Sequence, residues 1–362
     1  MSTFDGFIPE IPGISVDKFL PQNLESSLFF LSHCHQDHMV GLKEASEDTV
    51  DFPGKLYASP ISVVFLKQQF PRLADHLVEL DIGHSKLIHL LNDGQDESLY
   101  VTALPAGHCP GSVMFLFETN TFKILYTGDI RLSVGSYKKM QRLHTAQGTP
   151  KIFNNIYLDT TFFDKDYKYF PSQFESFEEI FRISNKWLKS NNKNIVLLQL
   201  PAKYGSEFVF IELAKRTSMP IHVSQDLFDQ YKYISEIDKS VTLDASVTRI
   251  HACQYNKSCE DYHEGSNKIK LLIKPSAMFW KNLQKDKPIS NINKNCVRVC
   301  YSSHASFQEL QDFLNYFQPK TFTPCVVLQK YEFADLVNKV LFEISNKQTK
   351  KNQTDLYEVG QE

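Results

Sequence analysis

Short apolar runs broken by turn residues fill the first 160 positions of the chain. SLFFLSH (27–33), GKLYASP (54–60), SLYVTALPAGH (98–108), GSVMFLFET (111–119) and FKILYTGD (122–129) have the length and the aromatic and β-branched content of strands. ISVVFLKQQF, following Ser59-Pro60, reads instead as a helix. After NIYLDTTF (155–162) the pattern changes to alternating helix and strand. SQFESFEEIFRISNKWLKSNN (172–192) is amphipathic at helical spacing, NIVLLQLP (194–201) reads as a buried strand, and SEFVFIELAKRT (206–217) is helical again. VRVCYSSH, the helix SFQELQDFLNYF, the strand TPCVVL and the helix YEFADLVNKVLFEIS follow, and the polar stretch 347–362 is expected to be disordered. The last strands and helices return to the style of the first segment, so the middle reads as an insertion into a discontinuous domain of α/β class.

Composition narrows this reading only in part. With 362 residues and 42% apolar positions the chain can build two domains with real cores. A formal charge of −3 gives no global field for a polyanion, so any such site must come from local patches or bound cations. One local patch exists: between 265 and 300 stand Lys268, Lys270, Lys274, Lys281, Lys285, Lys287, Lys294 and Arg298 against the single acid Asp286, with Phe279 and Trp280 among them. A solvated loop and a phosphate-tracking strip with a stacking aromatic both fit that pattern. Seven cysteines, an odd count, and an N-terminal stretch without a secretory pattern point to a reducing compartment with thiols free or metal-bound. No apolar run approaches the ~18 residues of a membrane span, so a soluble protein is expected.

The densest chemistry lies in FFLSHCHQDH, residues 29–38. Transition metals need imidazole or carboxylate donors converging at ~2.0–2.2 Å, and HCHQDH supplies four of them. His33 and His35 alternate, so an extended backbone points them the same way. Asp37 and His38 follow a bend and can address a second point. His108 in PAGHCPGS and Asp129 in LYTGDIR add donors just after strands, where Gly107 and Gly128 permit a sharp turn. A carboxylate has two oxygens, so Asp129 could bridge two cations. Six nitrogen and oxygen donors fit a catalytic centre with room for water better than a closed structural site. Cys34 and Cys109 flank ligands and are expected to pack as small apolar groups.

H-x-H-x-D-H followed by a later His and by TGD resembles the signature of the metallo-β-lactamase fold. The pieces YLDTTF and YSSH, separated by an inserted α/β segment, resemble its β-CASP branch. FDGFIPEIPGISVDKF, LPAGHCPGSVMFLF, YTGDIRL, IHAC and IKPS are similar to the DNA cross-link repair nucleases of that branch over nearly the whole chain. The resemblance implies an αββα metallo-β-lactamase sandwich with an inserted α/β β-CASP domain. Residues 1–160 and 295–346 would form the sandwich, 161–294 the insertion and 347–362 the tail. It implies that His33, His35, His108 and Asp129 hold a first zinc, and that Asp37, His38 and Asp129 face a second position for zinc, magnesium or manganese. Asp37, His38, Asp129, Asp159 and His304 become the catalytic set, with Asp17 supporting it from behind. A histidine held by a carboxylate can stay protonated and donate to a leaving oxygen.

The same resemblance implies a structural zinc in the insertion on His222, His251 and Cys253, with Cys259, or else His263, as the fourth ligand. Lys203, Tyr204, Lys274, Ser276, Tyr301 and Ser302 are the candidate phosphate contacts, because lysine and hydroxyl donors suit that group. The activity implied is cleavage of DNA at ends, hairpins, overhangs and single-strand/double-strand junctions, endonucleolytic or from the 5′ end, in end joining or cross-link repair. A nuclear location and partnership with the DNA-dependent protein kinase or other end-joining factors go with it. RNA-processing relatives usually carry His where this chain has Val326, which favours DNA over RNA. A small-molecule ester or amide hydrolase of the same fold is disfavoured by the insertion and its basic strip. A non-catalytic DNA-binding scaffold is disfavoured by the complete donor set.

Overall fold

In the computed structural model the described residues are 2–47, 51–92, 95–200, 204–253, 267–284, 287–329 and 332–359. The chain divides into two compact units, Met1–Asp164 with His304–Glu362, and Lys165–Ser303. Mixed α/β architecture with a discontinuous first unit is therefore what the alternation of strand and helix signals builds.

The first unit contains two sheets. Four parallel strands, β1 (Ile14–Val16), β2 (Leu28–Leu31), β3 (Lys55–Ala58) and β4 (Leu77–Glu79), form one in that order. The other has six strands: β5 (Ser85–Asn92), β6 (Gln95–Pro105), β7 (Val113–Glu118), β8 (Lys123–Tyr126), β9 (Asn155–Leu158) and the late strand β17 (Thr321–Pro324), which pairs with β9. Alternation of side chains explains the layering. Val113, Phe115 and Phe117 of β7 join one core, with Phe30, Tyr57, Tyr126 and Tyr157, while Met114 and Leu116 join the other. The first core lies between the sheets. The second lies under helices Phe307–Phe317 and Phe333–Val359, which contribute Phe313, Phe317, Val340 and Ile344. On the far side, Phe29 turns outward to Phe19 and Phe52, and helix Pro60–Gln69 packs against β4. Helix, sheet, sheet and helix are stacked in the expected αββα order.

The second unit is a seven-stranded sheet in the order β12 (Val241–Thr242), β11 (Ile221–His222), β13 (Ile250–His251), β10 (Asn194–Leu198), β14 (Ile269–Ser276), β16 (Cys296–Cys300), β15 (Ile289–Asn293). All pairs are parallel except β15 with β16. Helix Gln173–Ser190 starts at a capping box, in which Ser172 accepts from the Glu175 N–H and Glu175 accepts from the Ser172 N–H.

Two boundaries differ from the sequence reading. The segment from 295 was expected to return to the sandwich, but β16 pairs with β14 and β15 in the second sheet, and the return falls at His304. The stretch expected to be disordered continues the last helix to Val359. Polar composition signals only that no core is buried; extending a nucleated helix costs little, since each added residue gains a hydrogen bond.

Phe30 is fully buried between the sheets, its ring 5.1 Å from Tyr57, 5.5 Å from Phe115 and 5.1 Å from Phe117. Phe30→Ala should cost about 3–5 kcal/mol in denaturant unfolding. A loss under about 1 kcal/mol would mean that the two sheets do not depend on this contact.

Candidate metal centre

Every donor of the centre stands where a strand has just ended. β2 stops at Leu31, and His33 and His35 follow in extended chain, so both project to one side: His33 Nε2 and His35 Nδ1 are 3.0 Å apart. The short turn Gln36–His38 then folds His38 back, bringing its ring centroid to 4.2 Å from that of His33. His108 follows β6, and its Nε2 is 2.9 Å from His35 Nδ1. Asp129 follows β8, with Oδ2 at 3.5 Å from His33 Nε2 and 3.4 Å from His108 Nε2, and Oδ1 at 3.2 Å from His38 Nε2. Two glycines make these approaches possible. At Gly107 (φ +73°) a Cβ would sit 2.3 Å from the Arg131 carbonyl oxygen, and at Gly128 (φ +52°) 2.7 Å from the Ser32 side chain.

A buried carboxylate organises the cluster from behind. Asp17 accepts from the Ser32 N–H at 2.6 Å, from Tyr126 Oη and His38 Nδ1 at 2.8 Å each, and from the Ser32 hydroxyl. Since the one Ser32 proton goes to Asp17, His33 Nδ1–H must donate to Ser32 Oγ at 2.9 Å. That fixes Nδ1 as the donor in both rings, so that Nε2 of His33 and of His38 faces the centre.

On the other side, Asp159 Oδ2 accepts from His304 Nδ1 at 2.9 Å and from the Ile130 N–H at 3.1 Å. Asp159 Oδ1 accepts from the Thr161 N–H and hydroxyl. Arg131, absent from the sequence reading, donates to the His304 carbonyl at 2.8 Å and pairs with Glu309 at 3.3 Å, tying the His304 loop down. Nothing in the local sequence marks Arg131, Ser32 or Tyr126 for these tasks, because each partner is distant along the chain.

Electrostatics follow from this burial. Desolvation, with the His38 charge, holds His33 well below its ordinary value, and desolvation lowers His35 too, so both are neutral imidazoles suited to ligation. For His38 burial also opposes charge, but Asp129 and Asp17 outweigh it and push the value well up. Asp129 is held well below the carboxylate range, burial being outweighed by His38, His304 and His108. His304 is pushed up to about 9, where Asp159 and Asp129 overcome desolvation. Burial raises the Cys34 thiol to about 12, which leaves it an inert packing group, as expected.

The donor set fits a metal. One donor atom each from His33, His35, His108 and Asp129 lies within 4.8 Å of the others. Imidazole nitrogens facing one another at about 3 Å are favourable only with a proton or a cation between them. His38 Nε2 is buried, has no hydrogen-bond partner among the described residues, and looks towards Asp129 Oδ1 and, at 3.9 Å, Asp37 Oδ2. Asp37 is the most open of the donors and accepts from the Ser2 N–H at 3.1 Å.

In the second unit, His222 and His251 are register partners on β11 and β13, with Nδ1 atoms 3.2 Å apart, and Cys253 completes a buried group within 4.8 Å. Cys259 and His263 lie outside the described residues, as does Lys203. Of the other phosphate candidates, Tyr204 and Tyr301 are buried and donate to Gln230 Oε1 and the Gly205 carbonyl, and Ser302 is buried. Lys274 and Ser276 are half-buried on β14.

Comparisons with known proteins show what the chain is similar to. The family model described as DNA repair metallo-beta-lactamase matches residues 235–330. Protein artemis of Gallus gallus is 35% identical over 348 residues, covering 90% of this chain and 48% of the relative; that of Homo sapiens is 35% identical over 347 residues, 90% and 49%. The 5′ exonuclease Apollo of Danio rerio is 28% identical over 327 residues, 88% and 52%. A solved protein of unknown function from Enterococcus faecalis V583 shares the fold with a TM-score of 0.52 at 15% identity, over 82% of this chain and 75% of that one. The fold is a metallo-β-lactamase sandwich with a β-CASP insertion, and the chain is similar to the DNA repair metallo-β-lactamases. Within that class it is Artemis-like, and it spans about half the length of the curated relatives it matches.

Asp17→Asn would turn an NH2 towards three donors that now share one carboxylate oxygen. Metal affinity, measured by competition with a chelator, should fall about 10–100-fold. An unchanged affinity would show that His38 and His33 do not need this anchor.

Proposed function

We propose that this chain is a metal-dependent nuclease that hydrolyses DNA phosphodiester bonds at ends, hairpins, overhangs and single-strand/double-strand junctions. The observation that carries the reading is the pairing of a four-donor group, His33, His35, His108 and Asp129, with a carboxylate-held His304 at its edge. Those four residues would hold zinc, and Asp37, His38 and Asp129 a second zinc, magnesium or manganese, which would supply Lewis acidity to a phosphoryl oxygen and acidify water.

The chain's own residues do the rest. Asp17 and Ser32 hold His33 and His38 in the tautomer that presents Nε2. Asp159 keeps the proton of His304 on Nδ1 and favours the imidazolium, so that Nε2–H can be given to the departing 3′ oxygen. His304 Nε2 is 3.8 Å from Asp129 Oδ2, and about a fifth of the side chain (22%) is open to solvent, so a substrate oxygen can reach it. Lys274 and Ser276 are read as phosphate contacts. His222, His251 and Cys253 are read as three ligands of a structural zinc, since neighbouring strands bring two histidines together in a buried place that needs a cation or proton between them. The match to a DNA repair family model and the similarity to a 5′ exonuclease support DNA as the substrate; the nucleus as the compartment and the DNA-dependent protein kinase or other end-joining factors as partners are part of the proposal.

End-labelled hairpin, overhang and blunt DNA, and the matching RNA, incubated with and without chelator, test the reading. DNA cleavage that chelation abolishes is expected, and cleavage surviving chelation, or of RNA alone, would overturn it. Equal rates from Asp37→Asn and the parent would sink the second ion.

A general acid is active while protonated, so the rate should fall on the alkaline side as pH passes about 9. Asp159→Asn removes a charge that raises His304 and should move that limb to lower pH. His304→Ala should lower the rate by about 10²–10⁴ and erase the limb. The role of His304 fails if both variants keep the parent's pH profile.

A further inference from the structure

One feature of the second unit is left unused by the metal chemistry. On β14, Leu271, Ile273 and Pro275 are buried, while Lys270, Lys274 and Ser276 alternate with them on the opposite face. The parallel register sets Lys274 beside Arg298 of β16. Past Ser276 the chain turns and exposes Met278 (68%) and Phe279 (53%), large apolar side chains that a strand-end turn ordinarily turns inward. Phe279 is held firmly there. The Arg298 guanidinium lies over one face of its ring at 4.0 Å, and buried Trp280 meets it edge-on at 5.3 Å, so the exposed half is the opposite face. The backbone is pinned as well: Trp280 N–H donates to the Ala277 carbonyl, and Tyr167 Oη donates to that of Met278. Ser276 Oγ is buried and has no hydrogen-bond partner among the described residues.

The surroundings say what this ring receives. The described residues between 267 and 300 include Lys274, Lys287 and Arg298 and no acid, while Lys281 is paired with Asp166 at 3.6 Å. An anionic partner with a planar apolar face fits; a lipid or an acidic peptide supplies the charge without the plane. We propose that Phe279 is a stacking platform for one unpaired base of a DNA strand, with its flanking phosphates neutralised by Lys274 and Arg298. This rests on the nuclease reading above and makes that reading more specific, because only a frayed end, an overhang or a hairpin tip offers an unpaired base. Stacking is indifferent to base identity, since every base has a π face.

The test uses the full chain, a single-stranded oligonucleotide carrying one 2-aminopurine, and a blunt duplex of the same length, in chelator so that nothing is cut. The parent should quench the 2-aminopurine and bind the single strand. Phe279→Ala should weaken that binding roughly tenfold and relieve the quenching, leave duplex affinity unchanged, and be rescued by Phe279→Trp. The platform is overturned if Phe279→Ala binds and quenches as the parent does, or if it weakens single strand and duplex alike. With metal restored, a parent that cuts DNA ends while Phe279→Ala is unaltered overturns the platform alone. A parent that neither binds nor cuts DNA overturns the nuclease reading with it.

Discussion

The buried carboxylate of Asp17 is the interaction on which the rest of the centre depends. It stands just after β1, at a positive φ of 55°, and gathers donors from the end of β2, from the turn carrying His38 and from β8. One group thereby fixes both the backbone at Ser32 and the orientation of two imidazoles. A neutral residue there would leave several buried donors with no acceptor, each costing about 1–3 kcal/mol. Burial is what gives the carboxylate this authority, since in water the same donors would exchange partners freely.

Asp159 repeats the arrangement on the opposite side with a different outcome. Asp17 orients a histidine whose Nε2 faces the donor group, whereas Asp159 orients one whose side chain is partly open to solvent. In the proposed mechanism, two histidine–carboxylate pairs of the same chemistry are thus divided between holding a cation and handling a proton. What separates them is position relative to the strand ends. β8 and β9 lie side by side and parallel, so Asp129 and Asp159, each just beyond its strand, come out at the same end of the sheet.

Much of this was legible before any coordinates. The apolar runs GSVMFLFET and FKILYTGD read as strands, and the structure adds that β7 is buried on both faces, between the two cores. HCHQDH, His108 and Asp129 declared themselves by residue type and by their position after strands. The return point at His304 was less legible, because VRVC reads equally well as a strand of either unit and only its pairing with β14 decides. The helix running on to Val359 was misread for a related reason: polarity reports on burial, not on backbone conformation.

The sequence by itself determined the chemistry: which donors exist, how they alternate along extended chain, and where glycine permits a turn. Those are local properties, set by residue type and by a spacing of one or two positions. Only the tertiary structure decided the proton arrangement. Asp17 and Tyr126 are far apart along the chain, as are Asp159 and His304, and Arg131 and the His304 carbonyl. No local pattern encodes such partnerships. They exist because the sheets bring strand ends together, and a buried donor in a place closed to water must take whatever acceptor the fold puts beside it.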